Sequence, residues 1–357
     1  MAKKKQVVSE TETAPGGILN ESLLSKFGNV ILPADQVPVG RVVPIMLGLD
    51  IALNGGIVEG TITHIAAPTR CGKTTLTLFI IAKMQQALKK ECYYIDIEGR
   101  LRPELLKSIK GLVYTKEQSE ATGIPQLQII RSTDQKVMSA EDYFNISNSL
   151  LINKSNCLVV FDSLAMLESS NQHANDLGQS SMLTEIPKLT YTWLRKISPV
   201  ISSKSNNLIT LTHIQDSPSK YGPGKREVGG NAIKFMASNH FEHRKNEFIE
   251  ESQGGKVIGQ VTTYRTLKSA LGAPLSEFNV CITYGQGIDE ERDTFMLGVE
   301  YGFISKSGAW YELEYKVGDE SKSEKTQGEA RMIEFLRNNR EAYDWLYNSI
   351  KQFVLGT

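Results

Sequence analysis

The chain has 357 residues, 40% of them hydrophobic and 29 of them glycine, enough for one large α/β domain with appendages or for two ordinary domains. Lys and Arg number 40, as do Asp and Glu, so no whole-chain charge marks a histone-like or membrane-surface protein, and any anion binding must be local. Four scattered cysteines without a CxxC pair, and no His at metal-ligand spacing, point away from a disulfide framework and from a zinc site. With no apolar leader and no apolar run of roughly 18 residues, the expectation is a cytoplasmic protein that does not enter a membrane.

Residues 1–16 are polar and lead into Pro15-Gly16-Gly17, a composition that predicts a disordered tail. In the segment 17–44, Leu19, Leu23, Leu24 and Phe27 recur at helical spacing, which predicts a helix too short to stand without a partner. Pro33, Pro38 and Pro44 mark an extended connector. Apolar β-type runs follow at Ile62 to Ala66, Cys92 to Ile97, Cys157 to Phe161 and Leu208 to Leu211, separated by helical stretches. Because each run is apolar at consecutive positions, the strands are expected to be buried on both faces of a mostly parallel sheet. Gln260 to Lys268 and Glu277 to Tyr284 read as further strands of a core spanning 45–287. Residues 288–357, with a charged stretch from Lys316 to Lys325 and a helical pattern through Met332, Phe335, Leu336, Leu346, Ile350 and Phe353, read as a small α+β domain.

The strongest local signal is Ala67-Pro68-Thr69-Arg70-Cys71-Gly72-Lys73-Thr74, bracketed by the strand Ile62 to Ala66 and a helical run from Leu76 to Leu88. Such a loop aims successive backbone N–H groups at a phosphate, and the following helix dipole favours the same anion. Lys73 would neutralise β and γ phosphates, and the Thr74 hydroxyl would hold Mg²⁺. Ala67 stands where Gly is usual, which requires a negative φ there. Asp162 closes an apolar strand at the edge where ligands collect, as a second Mg²⁺ residue or an N-cap. Glu98, just past another strand end, is either the carboxylate that polarises the attacking water or an ordinary strand-end acid. His213 is offered as a hydrogen-bonding side chain towards the γ-phosphate, with a structural role as the alternative.

Two polar stretches complete the pattern. Residues 216–231 contain Lys220, Tyr221, Lys225, Arg226, Gly229, Gly230 and Asn231, a loop suited to phosphate contact and base stacking. Residues 169–181 carry Asn171, Gln172, His173 and Gln179 with almost no charge, suited to sequence-tolerant contacts or simply to a surface loop.

Taken together, these residues resemble the RecA family of recombinases over about Pro44 to Tyr311. Leu47 to Leu53 with Gly55-Gly56, the Gly72-Lys73-Thr74-Thr75 core, Tyr94 to Glu98, Val160 to Ala165 and above all Gly229-Gly230-Asn231-Ala232-Ile233-Lys234-Phe235 carry the likeness. The resemblance implies a P-loop NTPase core with an N-terminal polymerisation helix, ATP and Mg²⁺ as cofactors, and single-stranded and double-stranded DNA as partners. It also implies self-assembly into a helical filament, pairing and strand exchange of homologous DNA, and mediator and single-strand-binding proteins as further partners. It makes Glu98 the catalytic base, places Tyr284 at the nucleotide, sends Lys268 across to the neighbour's γ-phosphate, and puts Leu23, Phe27, Lys234 and Phe235 at the subunit interface. Departures are His213 in place of the usual Gln, as in the recombinases of T4-like phages, so a phage source is an expectation; Ala270 in place of a second trans-acting Lys; and Arg102 and Leu105 where bacterial members carry their adenine-contacting Asp and Tyr. A hexameric helicase, a KaiC-like ATPase and a non-catalytic ATP-dependent filament protein are the competing readings.

Overall fold

The computed structural model describes residues 25–26, 28–174, 185–216, 225–227, 231–251 and 254–356. The chain divides into two compact units, Met1–Val39 and Gly40–Thr357. In the first, Ser25 and Lys26 are helical and single 3₁₀ turns form at Gly28–Val30 and Ala34–Gln36. The expected tail and most of the expected helix, including Leu23 and Phe27, lie outside the described residues.

In the second unit a short antiparallel pair, β1 (Val42–Val43) and β2 (Ile57–Val58), brackets the helix Leu47–Ala52. The main sheet is built from β3 (Ile62–Ala67), β4 (Glu91–Asp96), β5 (Gln128–Ile130), β6 (Cys157–Asp162), β7 (Asn207–Asp216), β8 (Lys225–Glu227), β9 (Asn239–Glu250), β10 (Val257–Lys268), β11 (Glu277–Thr283) and β12 (Gly287–Ile288). Its order is β12-β11-β10-β9-β3-β7-β6-β4-β5, with β8 folded back on β7. From β9 to β5 every pairing is parallel, while β10 to β12 extend one edge antiparallel.

Every residue of β3 and β6 is buried, because helices cover both faces. The helix Lys73–Leu88 packs with Leu158, Val160 and Leu211 on one side, and the helices Ala140–Asn153 and Glu185–Ser203 pack with Val159, Phe161 and Leu208 on the other. This two-sided cover is the physical origin of the uninterrupted apolar runs. Ser139 starts the second of these helices with a reciprocal capping box to Asp142.

The C-terminal part has its own apolar cluster, with Leu313, Met332, Leu336, Leu346 and Ile350 almost fully buried. It comprises the helix Glu290–Glu300, an antiparallel sheet of β13 (Ile304–Ser307), β14 (Trp310–Val317) and β15 (Glu320–Gln327), and the helices Glu329–Asn338 and Arg340–Leu355. The charged stretch Lys316 to Lys325 is thus part of a hairpin strand pair whose outer strand is mostly exposed.

A buried carboxylate joins this cluster to the first helix of the core: Asp293 Oδ2 accepts the Gly48 N–H at 3.0 Å. Burial pushes the Asp293 carboxyl up to about 7, opposed by that hydrogen bond. Since the folded value lies above the unfolded one, the native state is favoured below about pH 4 and loses that advantage as pH rises to about 7. Asp293→Asn keeps an acceptor for Gly48. It is therefore expected to raise the melting temperature at pH 8 and to converge with the parent below pH 4, which thermal unfolding across pH would check.

Candidate nucleotide site

Four parallel strands deliver their C-terminal ends to one crevice. Ala67 ends β3 level with His213 on β7, and Asp96 ends β4 level with Asp162 on β6. Ala67 is extended, so its methyl group meets no left-handed strain. The loop beyond it takes positive φ at Arg70 (63°) and at Gly72 (73°), which is the N-cap of the helix Lys73–Leu88. A Cβ on Gly72 would come within 2.2 Å of Ile282 Cδ1. Gly72→Ala is accordingly expected to destabilise the fold by about 1–2 kcal/mol from the left-handed backbone alone, with the clash added, measurable as a lower melting temperature.

The cleft has a volume of about 1020 Å³ and is lined by Thr69 to Thr75, Glu98, Arg100, Leu101, Leu105, Asp162, His213, Asn246, Phe248, Gln260, Ile282 and Tyr284. Lys73 Nζ donates to the Ala67 and Pro68 carbonyls at 2.8 and 2.7 Å and lies 3.4 Å from His213 Nδ1. His213 Nε2 is 2.7 Å from Glu98 Oε1. A neutral imidazole with its proton on Nε2 donates to Glu98 and accepts from Lys73, so one tautomer satisfies both contacts. Ser163 Oγ also donates to Glu98 Oε1 at 2.8 Å, and Arg100 approaches Oε2 at 3.0 Å. Beneath this relay Thr74 Oγ1 and the Tyr94 hydroxyl both donate to Asp162 Oδ2, at 2.8 and 2.5 Å.

The turn after β4 is held by Asp96, whose carboxylate accepts the Arg100 and Leu101 N–H groups. That turn presents Glu98 to the cleft. Burial would push the Glu98 carboxyl up, but hydrogen bonds from His213 and Ser163 and the nearby Arg100 charge hold it below its ordinary value, so it is ionised at neutral pH. Burial moves Asp162 the other way, above its ordinary value, against the pull of Tyr94, Thr74 and Lys73. Burial pushes the Lys73 ammonium down, opposed mainly by Asp162. A hydroxyl and a carboxylate side by side are hard oxygen donors, which suits Mg²⁺.

Of the residues singled out in the sequence, Thr69, Arg70, Cys71, Gly72, Lys73, Thr74, Thr75, Glu98, Asp162, His213 and Tyr284 line this one cleft. Lys268 does not: its Nζ donates to the Phe235 carbonyl at 2.9 Å. Leu105 lines the cleft, whereas Arg102 caps the helix Pro103–Ser108. Asn171, Gln172 and His173 fall on a short helix and bind intrachain partners: Asn171 donates to Glu185, Gln172 accepts from the Ser169 N–H, and His173 lies 3.2 Å from Glu168. Lys225 and Arg226 sit on β8, opposite Asp216 and Gln215. Asn231 precedes the helix Ala232–Met236, Lys234 pairs with Glu227 at 3.2 Å, and Phe235 is 79% exposed. Gln179, Lys220, Tyr221, Gly229 and Gly230 lie outside the described residues.

Several cleft residues carry no local sequence signal. Gln260 on β10 donates to the Arg70 carbonyl and accepts from the Tyr284 hydroxyl, both at 3.1 Å, so the antiparallel edge buttresses the phosphate loop from almost 200 residues away. Ser163 and Arg100 lie beside Asp162 and Glu98 in both sequence and space, and that proximity is the one clue to them.

The RecA N-terminal domain family matches residues 25–289. The chain is 30% identical over 313 residues to a protein named RecA from Pseudomonas fluorescens Pf-5, covering 87% of this chain and 81% of that one. A RecA from Pseudomonas fluorescens Pf0-1 is likewise 30% identical over 314 residues, with the same shares covered.

Proposed function

Because the chain belongs to the RecA family, we propose that it is an ATP-dependent recombinase that polymerises on single-stranded DNA and pairs it with homologous duplex DNA. The observation that carries this reading is the relay Lys73–His213–Glu98, whose central residue lies on the strand that runs on to Asp216 and the predicted DNA loop. A triphosphate in the cleft would draw Lys73 from the Ala67 and Pro68 carbonyls onto its phosphates. His213 Nδ1 would then face the γ-phosphate while Nε2 keeps its bond to Glu98. Nucleotide state thereby reaches the DNA loop through one side chain. Glu98, held ionised, orients and polarises the attacking water. Thr74 and Asp162 are the residues that would hold Mg²⁺, which would supply charge neutralisation for the phosphoryl group.

On this reading residues 17–44, with Leu23 and Phe27, pack on the neighbouring subunit, and Lys234 and Phe235 take part in the same interface. Residues 45–287 form the ATPase core and 288–357 the accessory domain. Lys268, outside its own chain's cleft, serves the neighbour's nucleotide. Residues 169–181 and 216–231 line the DNA path by backbone contact, which accepts any sequence. Mediator and single-strand-binding proteins are the partners such a filament needs. Among the described residues no helix is long and apolar enough to cross a membrane.

Replacing both Lys225 and Arg226 by Ala should weaken single-stranded DNA binding and flatten its salt dependence by about 0.7 in log–log slope for each phosphate no longer neutralised. Fluorescence anisotropy across a salt series reads this directly. The proposal as a whole is tested by electron microscopy with single-stranded DNA and a non-hydrolysable ATP analogue. Continuous helical filaments are expected; closed rings that leave most of the DNA bare would favour the helicase reading.

A further inference from the structure

A second cluster of chemistry-bearing side chains lies within the sheet, apart from the cleft residues. His64 on β3 is level with Thr210 on β7 and with His240 on β9, so the three form a row across adjacent parallel strands. His64 and His240 are 0% and 3% exposed. Glu227, on β8, reaches them with a side chain only 6% exposed: its Oε2 is 3.4 Å from His64 Nε2 and its Oε1 is 3.4 Å from His240 Nε2. His64 Nε2, His240 Nε2 and Glu227 Oε2 are buried and make no hydrogen bond. Two buried imidazole nitrogens without a hydrogen bond, facing a carboxylate paired to the Lys234 ammonium, are costly unless something else satisfies them.

We propose that His64, His240 and Glu227 form a binding site for a zinc-class divalent cation. All three donors lie within 4.8 Å of one another. Donors on a tetrahedron with bonds of about 2.05 Å stand roughly 3.3 Å apart, close to the two His–Glu separations, so small side-chain shifts suffice. Two imidazoles and a carboxylate suit Zn²⁺ or Co²⁺ better than Mg²⁺, and a water can take the fourth position. His64 Nδ1 bonds the Thr210 hydroxyl at 2.8 Å, the outer contact that would fix Nε2 as the ligating nitrogen. Lys234, about one-third exposed, now lies 3.2 Å from Glu227 Oε2 and would withdraw to solvent as the dication enters. The site would clamp the strand that follows residue 224 to the sheet, because Glu227 pairs with Ile214, next to His213. Sequence spacing conceals it, since the three ligands are separated by 163 and 13 positions.

The test uses the full chain, stripped with a chelator, given Zn²⁺ in excess Mg²⁺ so that the nucleotide site is not counted, then passed through gel filtration and analysed for metal. One zinc per chain should be retained, and Co²⁺ in its place should give the intense visible absorption of tetrahedral coordination. His240→Asn and Glu227→Gln should each abolish retention. Two milder variants guard against misfolding: Thr210→Val should weaken zinc affinity about 10–100-fold, and Lys234→Met should strengthen it by removing a competing charge. No retained zinc in the parent chain, or zinc whose affinity is the same in Thr210→Val and Lys234→Met as in the parent, would overturn the assignment in favour of a buried His–Glu–Lys ion network.

Discussion

Glu98→Gln should bind ATP with near-parental affinity yet hydrolyse it about 100-fold or more slowly, the scale of general-base removal. Gln keeps the size of Glu and can still accept from Ser163 Oγ and His213 Nε2, so the cleft geometry survives. What disappears is the negative charge that, on the proposed mechanism, polarises water, and with it the partner of Arg100. Lys73→Ala should fail at the earlier step. Removing a charge-assisted phosphate contact of about 1.5–3 kcal/mol weakens nucleotide binding by roughly 10–100-fold, and two loop carbonyls lose their donor as well. Nucleotide titration and single-turnover hydrolysis separate the two effects. A DNA-stimulated rate left intact in Glu98→Gln would remove Glu98 from the chemistry.

His213→Ala tests the coupling of nucleotide to DNA. The substitution takes away both the 2.7 Å bond to Glu98 and the 3.4 Å approach to Lys73, while the phosphate loop itself is untouched. ATP should therefore still bind, but the ratio of DNA affinities with an ATP analogue and with ADP should fall from roughly 5–150, the usual scale of allosteric coupling, to near one. His213→Gln restores an amide that can donate to Glu98 and accept from Lys73, and it is the residue type that the family usually carries there. It should recover much of the ratio. A ratio unchanged in His213→Ala would make the residue structural and send the coupling through another contact.

The parts of the molecule that are readable in sequence share one property: their neighbours in space are also neighbours in sequence, or their burial is uniform. β3, β4, β6 and β7 are covered on both faces, so they announce themselves as apolar runs, and the phosphate loop sits between one of them and its own helix. β9 is invisible in sequence because past its first three residues it is mostly exposed, and the stretch from Glu242 to Glu250 is dominated by charged and polar residues. β5 is three residues long, too short to register as a period. β15 is mostly exposed, so its register is set by pairing with β14 rather than by an apolar face. In the cleft, Lys73, Thr74, Glu98 and Asp162 can be found because each ends or follows a buried strand, and His213 because it follows the buried stretch of β7, which itself runs on to Asp216. Gln260 cannot, since its contact with Arg70 is made by the fold across the antiparallel edge.

The central claim, that this cleft drives recombination rather than unwinding or scaffolding, is tested most directly by joint-molecule formation between single-stranded DNA and a duplex. The assay compares homologous with heterologous duplex, and ATP with ADP. Joint molecules that need both homology and ATP, and that disappear in Lys73→Ala, are the expected result. Joint molecules that form equally well with ADP, or ATP-driven unwinding of duplex that ignores homology, would contradict it.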